Sequence, residues 1–117
     1  MTVRRLKTYA GSQGYVYQYY FAGKREAGSK KDATEYAFEV SSDGRHTYSV
    51  IVLVQKTTAH GWGEAHGRAL SDSEQYAAVK LRLFRAFDEI GDLESEGQRL
   101  EIDAGFLEES LASLGVD

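Results

Sequence analysis

The spacing of apolar residues changes along this chain, and the change constrains the fold more than any other feature. Between residues 15 and 54, apolar side chains recur at every second position in several segments, which is typical of strands that bury one face. From residue 71 onward they recur with the helical period of about 3.6 residues. Strands followed by helices predict an α+β fold. A length of 117 residues predicts one small domain, residues 1–117.

The first alternating segment is YVYQYYF, residues 15–21, which holds four of the eight tyrosines of the chain. In a strand, Tyr15, Tyr17 and Tyr19 share one face with Phe21. Three interpretations are open for these rings: core packing, a surface for a protein partner, or a platform on which a flat ligand stacks. Core packing is favoured because aromatic rings cover a pleated surface well.

A hairpin is predicted from TEYAFEV and HTYSVIVLVQ, which flank the turn Ser42-Asp43-Gly44. A three-residue loop with a left-handed Gly44 would pair Ser41 with Arg45. This register places Tyr36 and Val50 on one apolar face and leaves polar side chains on the other, whereas a slip of one residue would mix them. The second strand is apolar on both faces at its far end, so we expect it to be central in the sheet.

The most regular helical pattern begins at Ser71, which forms a capping box with Glu74. We predict a helix over about residues 72–90 whose apolar stripe, including Phe84 and Phe87, packs on one face of an antiparallel sheet of three to five strands. Asp103 is expected to begin a short C-terminal helix.

Residues 57–70 carry three glycines around Trp62, which argues against long regular structure. We expect either a loop with a helical turn ending at Gly67 or a kinked strand. His60, Glu64 and His66 are the only residues with metal-binding character close together, but no zinc-helix spacing occurs. An enzyme or a metal site around His60–His66 is therefore an alternative, while the main expectation is no metal and no cofactor.

The net charge of −4 conceals an uneven distribution of charge. Residues 1–31 carry seven basic and one acidic side chain, a net of +6, and residues 32–117 carry seven basic and 17 acidic ones, a net of −10. A basic N-terminal third next to tyrosines has the ingredients of a weak single-stranded nucleic-acid binder or of a site for an acidic partner. The other interpretation is neutralisation within the fold or across a dimer.

The acidic residues concentrate after the long helix, where Asp88 and Glu89 occupy its last turn and the segment up to residue 96 adds more. Negative charge is unfavourable at a helix C-terminus. We therefore expect a basic loop to approach residues 88–96, within one chain or across a dimer, and to compensate their charge. The basic residues of that loop are Lys24, Arg25, Lys30 and Lys31.

The sequence has no cysteine, no nucleophile or phosphate-loop motif, and no apolar run longer than Val50–Val54. These features predict a cytoplasmic protein without a membrane span. We expect a non-catalytic binding or protein-interaction module with a tyrosine-rich sheet and a homodimer as its assembly. The candidate binding residues are Tyr15, Tyr17, Tyr19, Lys24, Arg25, Trp62 and His66.

Overall fold

The computed structural model describes residues 6–28 and 32–116 and confirms an α+β fold. The strands are β1 (Lys7–Ala10), β2 (Val16–Ala27), β3 (Ala33–Ser41), β4 (Tyr48–Gln55) and β5 (Arg99–Ile102). The helices are α1 (Lys56–His66), α2 (Asp72–Glu89), α3 (Leu93–Glu96) and α4 (Ala104–Ser113). Within the described ranges, no helix is long and apolar enough to cross a bilayer.

The five strands form one sheet in the order β1-β2-β3-β4-β5. The first four pair antiparallel, but β5 runs parallel to β4, so the prediction of a wholly antiparallel sheet is wrong at this edge. The connection from β4 to β5 passes through α1, α2 and α3, and such a helical crossover returns the chain in the same direction. Strand β2 continues through Ala22-Gly23 by way of a β-bulge next to Gly23.

The β3–β4 hairpin has the predicted faces and a longer connection than predicted. Phe38 pairs with Val50 and Gly44 has a φ of 79°, as expected for a left-handed turn glycine. However, Val40 pairs with Tyr48, two residues beyond the predicted partner. The turn is wider because the Asp43 carboxylate accepts hydrogen bonds of 2.8 Å from the backbone N–H groups of Arg45 and His46. A shift of two residues preserves both faces of each strand.

Helix α2 begins at the predicted capping box and packs its apolar stripe on one face of the sheet. Phe87 is fully buried and its ring stacks on that of Tyr17, with 4.3 Å between ring centroids. Phe84 is only half-buried and stacks on Tyr9 at 4.6 Å. The short C-terminal helix, α4, is also confirmed, and the Asp103 side chain accepts a hydrogen bond from the Phe106 N–H at its start.

Of the two expectations for residues 57–70, the kinked strand is wrong, and the helical turn ending at Gly67 is correct in its end but too short, because α1 occupies most of this segment. The helix ends at Gly67, which is left-handed with a φ of 71°. Trp62 is buried in the core, and its packing outweighs the cost of about 1 kcal/mol for each helical glycine. Gly63 is also required by space, since a Cβ there would lie 2.9 Å from the Arg68 carbonyl oxygen.

The expected contact between the basic loop and residues 88–96 does not form within the described chain. Asp88 instead accepts hydrogen bonds from the Tyr9 hydroxyl, at 2.8 Å, and from the Ser12 N–H, at 2.9 Å. Lys24 lies 3.9 Å from Asp72, the first residue of α2, and the 18 residues of this helix span about 27 Å. Lys30 and Lys31 lie outside the described residues.

Candidate functional site

In the part of the chain that the structure describes, helices pack on one face of the sheet, and the opposite face is here named the open face. Side chains at alternate positions of β3 and β4, such as Phe38 and Val50, are fully buried against the helices. The positions between them point the other way. The open face carries, in strand order, Thr8, Ala10, Val16, Gln18, Tyr20, Gly23, Arg25, Ala27, Ala33, Glu35, Ala37, Glu39, Ser41, Ser49, Ile51, Leu53, Gln55, Arg99 and Glu101.

Apolar side chains remain accessible on this open face. Val16 is 54% exposed, which is unusual for a β-branched residue inside a sheet. Ile51 and Leu53 lie on β4, an interior strand that pairs with β3 on one side and β5 on the other, yet they are only half-buried. Strand β4 was expected to be central because it is apolar on both faces. One of these faces lies in the core, and the other forms part of an accessible surface.

A cluster of three charged residues crosses the open face, and it is here named the Arg–Glu–Arg cluster. The Glu35 carboxylate accepts a hydrogen bond of 2.8 Å from Arg25 Nε and one of 2.7 Å from Arg99 Nη2. The Glu35 side chain is only 8% exposed, whereas those of Arg25 and Arg99 are 78% and 64% exposed. Both arginines, Arg99 first, hold the pKa of Glu35 below its usual range.

A hollow of about 310 Å³ lies beside this cluster, where β2 bulges. It is lined by small or apolar residues, Gly23, Ala37 and Ile51, together with the charged Lys24, Arg25 and Glu35. Apart from Gly23 and its two chain neighbours, no described residue has an atom within 4 Å of the position where a Cβ of Gly23 would stand, so the space above the bulge is open. A glycine inside a strand commonly marks a bulge or a place where another chain or ligand approaches closely.

The three candidate tyrosines have different environments. Tyr17 and Tyr19 are 2% and 5% exposed and pack against Phe87, which agrees with core packing. Their faces therefore offer no platform on which a base could stack. Tyr15 is 48% exposed and lies just before β2.

The two candidate basic residues lie on opposite faces of β2. Lys24 faces the helices, with its Nζ 5.9 Å from the centroid of the Tyr36 ring, and Arg25 belongs to the Arg–Glu–Arg cluster on the open face. Each is close to a carboxylate, Asp72 and Glu35 respectively. The two cations are thus used within the fold and do not form one continuous basic surface.

Trp62 and His66 come together on α1, as their spacing of four residues on a helix requires. Their rings stack with 4.2 Å between centroids, and His66 Nε2 lies 2.7 Å from a Glu108 carboxylate oxygen on α4. The buried Trp62 Nε1 is without a hydrogen-bond partner in the described part of the chain. This arrangement joins α1 to α4 and explains the position of Trp62 by packing.

The metal-site alternative finds no ligand set in the residues that the structure describes. His60 pairs with Glu64 at 2.9 Å, whereas His66 pairs with Glu108. Within the described ranges, no group of three or more His, Cys, Asp or Glu side chains is placed to hold a metal ion. Two ligands are too few for a structural zinc site.

Comparisons of this chain with models of protein families, with curated proteins and with solved structures found no match. Function is therefore inferred from geometry alone. The sequence did not predict the open face as a candidate site, neither its accessible apolar side chains nor the arrangement of its charges. Glu35 lies on the hairpin face where polar side chains were expected, but its partner Arg99 is 64 residues away in the sequence, so no local pattern indicated their pairing.

Proposed function

We propose that this chain is a non-catalytic protein-interaction module that forms a homodimer through its open face. One observation carries this proposal: among residues 6–28 and 32–116, helices cover a single face of the five-stranded sheet, and the other face keeps Val16, Ile51 and Leu53 accessible. Sheets with apolar side chains on an uncovered face commonly pack face to face, about 10 Å apart. A second copy offers the same kind of sheet face.

The size of the open face is sufficient for a stable dimer. Five strands of 4, 12, 9, 8 and 4 residues form a sheet about 24 Å wide and, on average, about 24 Å long. Face-to-face packing would cover about 600 Å² of each copy in projection, or about 1,200 Å² in total, which is the lower limit for specific and stable interfaces.

The charges of the open face favour a second copy over a strongly charged partner. Among its described strand positions the face carries two cations, Arg25 and Arg99, and three anions, Glu35, Glu39 and Glu101, so these positions together are close to neutral. Glu35 is already paired with both arginines, and Glu39 accepts a hydrogen bond of 2.6 Å from the Ser49 hydroxyl. A face with both signs of charge can complement itself under two-fold symmetry.

The compartment that suits this proposal is the cytoplasm. The sequence contains no cysteine, so folding and dimerisation do not depend on an oxidising environment. The dimer would be held by apolar contact and by charge pairs alone. Its stability should therefore depend on protein concentration and not on redox conditions.

Light scattering over a dilution series tests the proposal. The chain has a mass of 13.0 kDa, so a dimer has twice that mass, 26.0 kDa. We expect the dimer mass at high concentration and a decline toward the monomer mass on dilution. A constant 13.0 kDa up to the highest soluble concentration would contradict the proposal.

A further inference from the structure

The open face carries both a projecting apolar side chain and a hollow, and both are on strand β2. Val16 begins the strand and is 54% exposed, while Gly23 lies at the hollow of about 310 Å³. Val16 pairs with Ala10 and Gly23 pairs with Ala37, and both positions belong to the open face. A projection and a hollow on one face are what an interface between identical copies requires, since each copy must supply both.

We infer that Val16 of each copy enters the hollow at Gly23 of the other copy, an inference that rests on the proposed homodimer. Val16 and Gly23 are seven residues apart in the sequence, but the bulge takes up one of them. The two positions are therefore separated by six strand residues, which is about 20 Å along β2. A two-fold axis between the two sheets, perpendicular to β2 and midway between Val16 and Gly23, forms both contacts at once. The β2 strands then run antiparallel to each other across the interface.

The lining of the hollow suits an apolar side chain. Gly23 and Ala37 present no bulky atoms, and Ile51 supplies an apolar wall. The volume of about 310 Å³ is ample for the branched end of a valine and leaves room for a neighbouring side chain. A β-branched residue has few rotamers to lose on binding, which makes Val16 a good inserted group.

The charged wall of the hollow can be covered at low cost because its carboxylate is already paired. Glu35 is 8% exposed and is bonded to Arg25 and Arg99, so closing the interface does not strip a bare carboxylate of water. Arg25 lines the hollow and its side chain is 78% exposed, so its guanidinium group can remain hydrated at the rim.

The first test fills the hollow. Ala37→Leu adds three carbons in the hollow, and a strand accepts leucine at a half-buried position. We expect the dimer dissociation constant to rise at least tenfold. Ala112→Leu makes the same addition at an exposed position of α4 and should leave the dissociation constant within about twofold of the wild-type value.

The second test locates the contact by cross-linking, which is clean because the chain has no cysteine. Chains with Val16→Cys are mixed with chains with Ala37→Cys and treated with a bis-maleimide about 8 Å long, a length that suits packed sheets about 10 Å apart. We expect covalent dimers in the mixture. Val16→Cys alone should give few, because the two Val16 positions lie about 20 Å apart in this arrangement.

The outcomes separate this inference from the proposed function. A wild-type chain that stays monomeric would contradict the homodimer itself. If the wild type is a dimer and Ala37→Leu does not weaken it, only the contact between Val16 and the hollow is overturned. The same holds if Val16→Cys chains cross-link to each other as efficiently as to Ala37→Cys chains. Circular dichroism of each variant establishes that it is folded.

Discussion

Removal of both arginines that surround Glu35 should destabilise the chain by more than the sum of the two single changes. In the wild-type chain, Glu35 has one hydrogen bond to Arg25 at 2.8 Å and one to Arg99 at 2.7 Å. Arg25→Gln or Arg99→Gln alone leaves the carboxylate one cation. We expect each single change to cost about 1 kcal/mol, at the low end for charged hydrogen bonds because both arginines are largely exposed and screened.

The double variant leaves the Glu35 carboxylate, which is 8% exposed in the wild-type chain, without either of these cations. An uncompensated buried charge costs about 3–5 kcal/mol, and partial access of water to Glu35 places the expected loss near about 3 kcal/mol. The double variant therefore exceeds the sum of the singles by about 1 kcal/mol. Adding Glu35→Gln removes the charge, and the triple variant should recover to within about 1 kcal/mol of wild type.

Urea denaturation followed by the fluorescence of Trp62 measures these free energies, since this is the only tryptophan and it is 4% exposed. All variants should be compared in a Val16→Glu background, so that dimerisation does not contribute to stability. Two outcomes would refute the reasoning that Arg25 and Arg99 compensate the buried charge of Glu35. One is strict additivity of the two single changes, and the other is a triple variant no more stable than the double variant.

Three further predictions concern the core, the hairpin and the pH dependence. Phe87→Ala should cost about 3–5 kcal/mol in urea denaturation because the ring is fully buried, and Phe84→Ala about half as much because it is half-buried; equal losses would contradict this packing. Gly44→Ala should cost about 1 kcal/mol because the residue has a φ of 79°, and an unchanged midpoint would show that the turn relaxes without strain. Because Arg99 and Arg25 lower the pKa of Glu35, its ionised form contributes stability above the ordinary carboxyl range and loses it as the pH falls. Wild type should therefore lose more stability than Glu35→Gln between about pH 5 and pH 3, and parallel pH curves would argue against the pairing.

Local patterns in the sequence predicted the elements whose signals lie within a few residues. The capping box at Ser71 and Glu74 located the start of α2, and the alternation around Tyr36 and Val50 assigned the faces of the hairpin. Asp103 likewise marked the start of α4. Each of these features depends on neighbouring backbone geometry, which a sequence specifies directly.

The features that the sequence did not reveal depend on residues far apart. Helix α1 forms despite its glycines because Trp62 packs in the core, and no local sequence pattern predicts this packing. The parallel direction of β5 follows from the crossover connection, not from its own four residues. The Arg–Glu–Arg cluster joins Glu35 to Arg99, which are 64 residues apart.

The central claim is that two copies meet through the open face, and a matched pair of charge substitutions tests it most directly. Val16 on the open face and Leu114 after α4 are 54% and 49% exposed, so a glutamate at either site remains accessible to water in the monomer. We predict that Val16→Glu has a mass of 13.0 kDa by light scattering at concentrations where the wild type and Leu114→Glu have 26.0 kDa, twice the monomer mass. If Val16→Glu remains dimeric, or if Leu114→Glu is the variant that dissociates, the open face is not the interface.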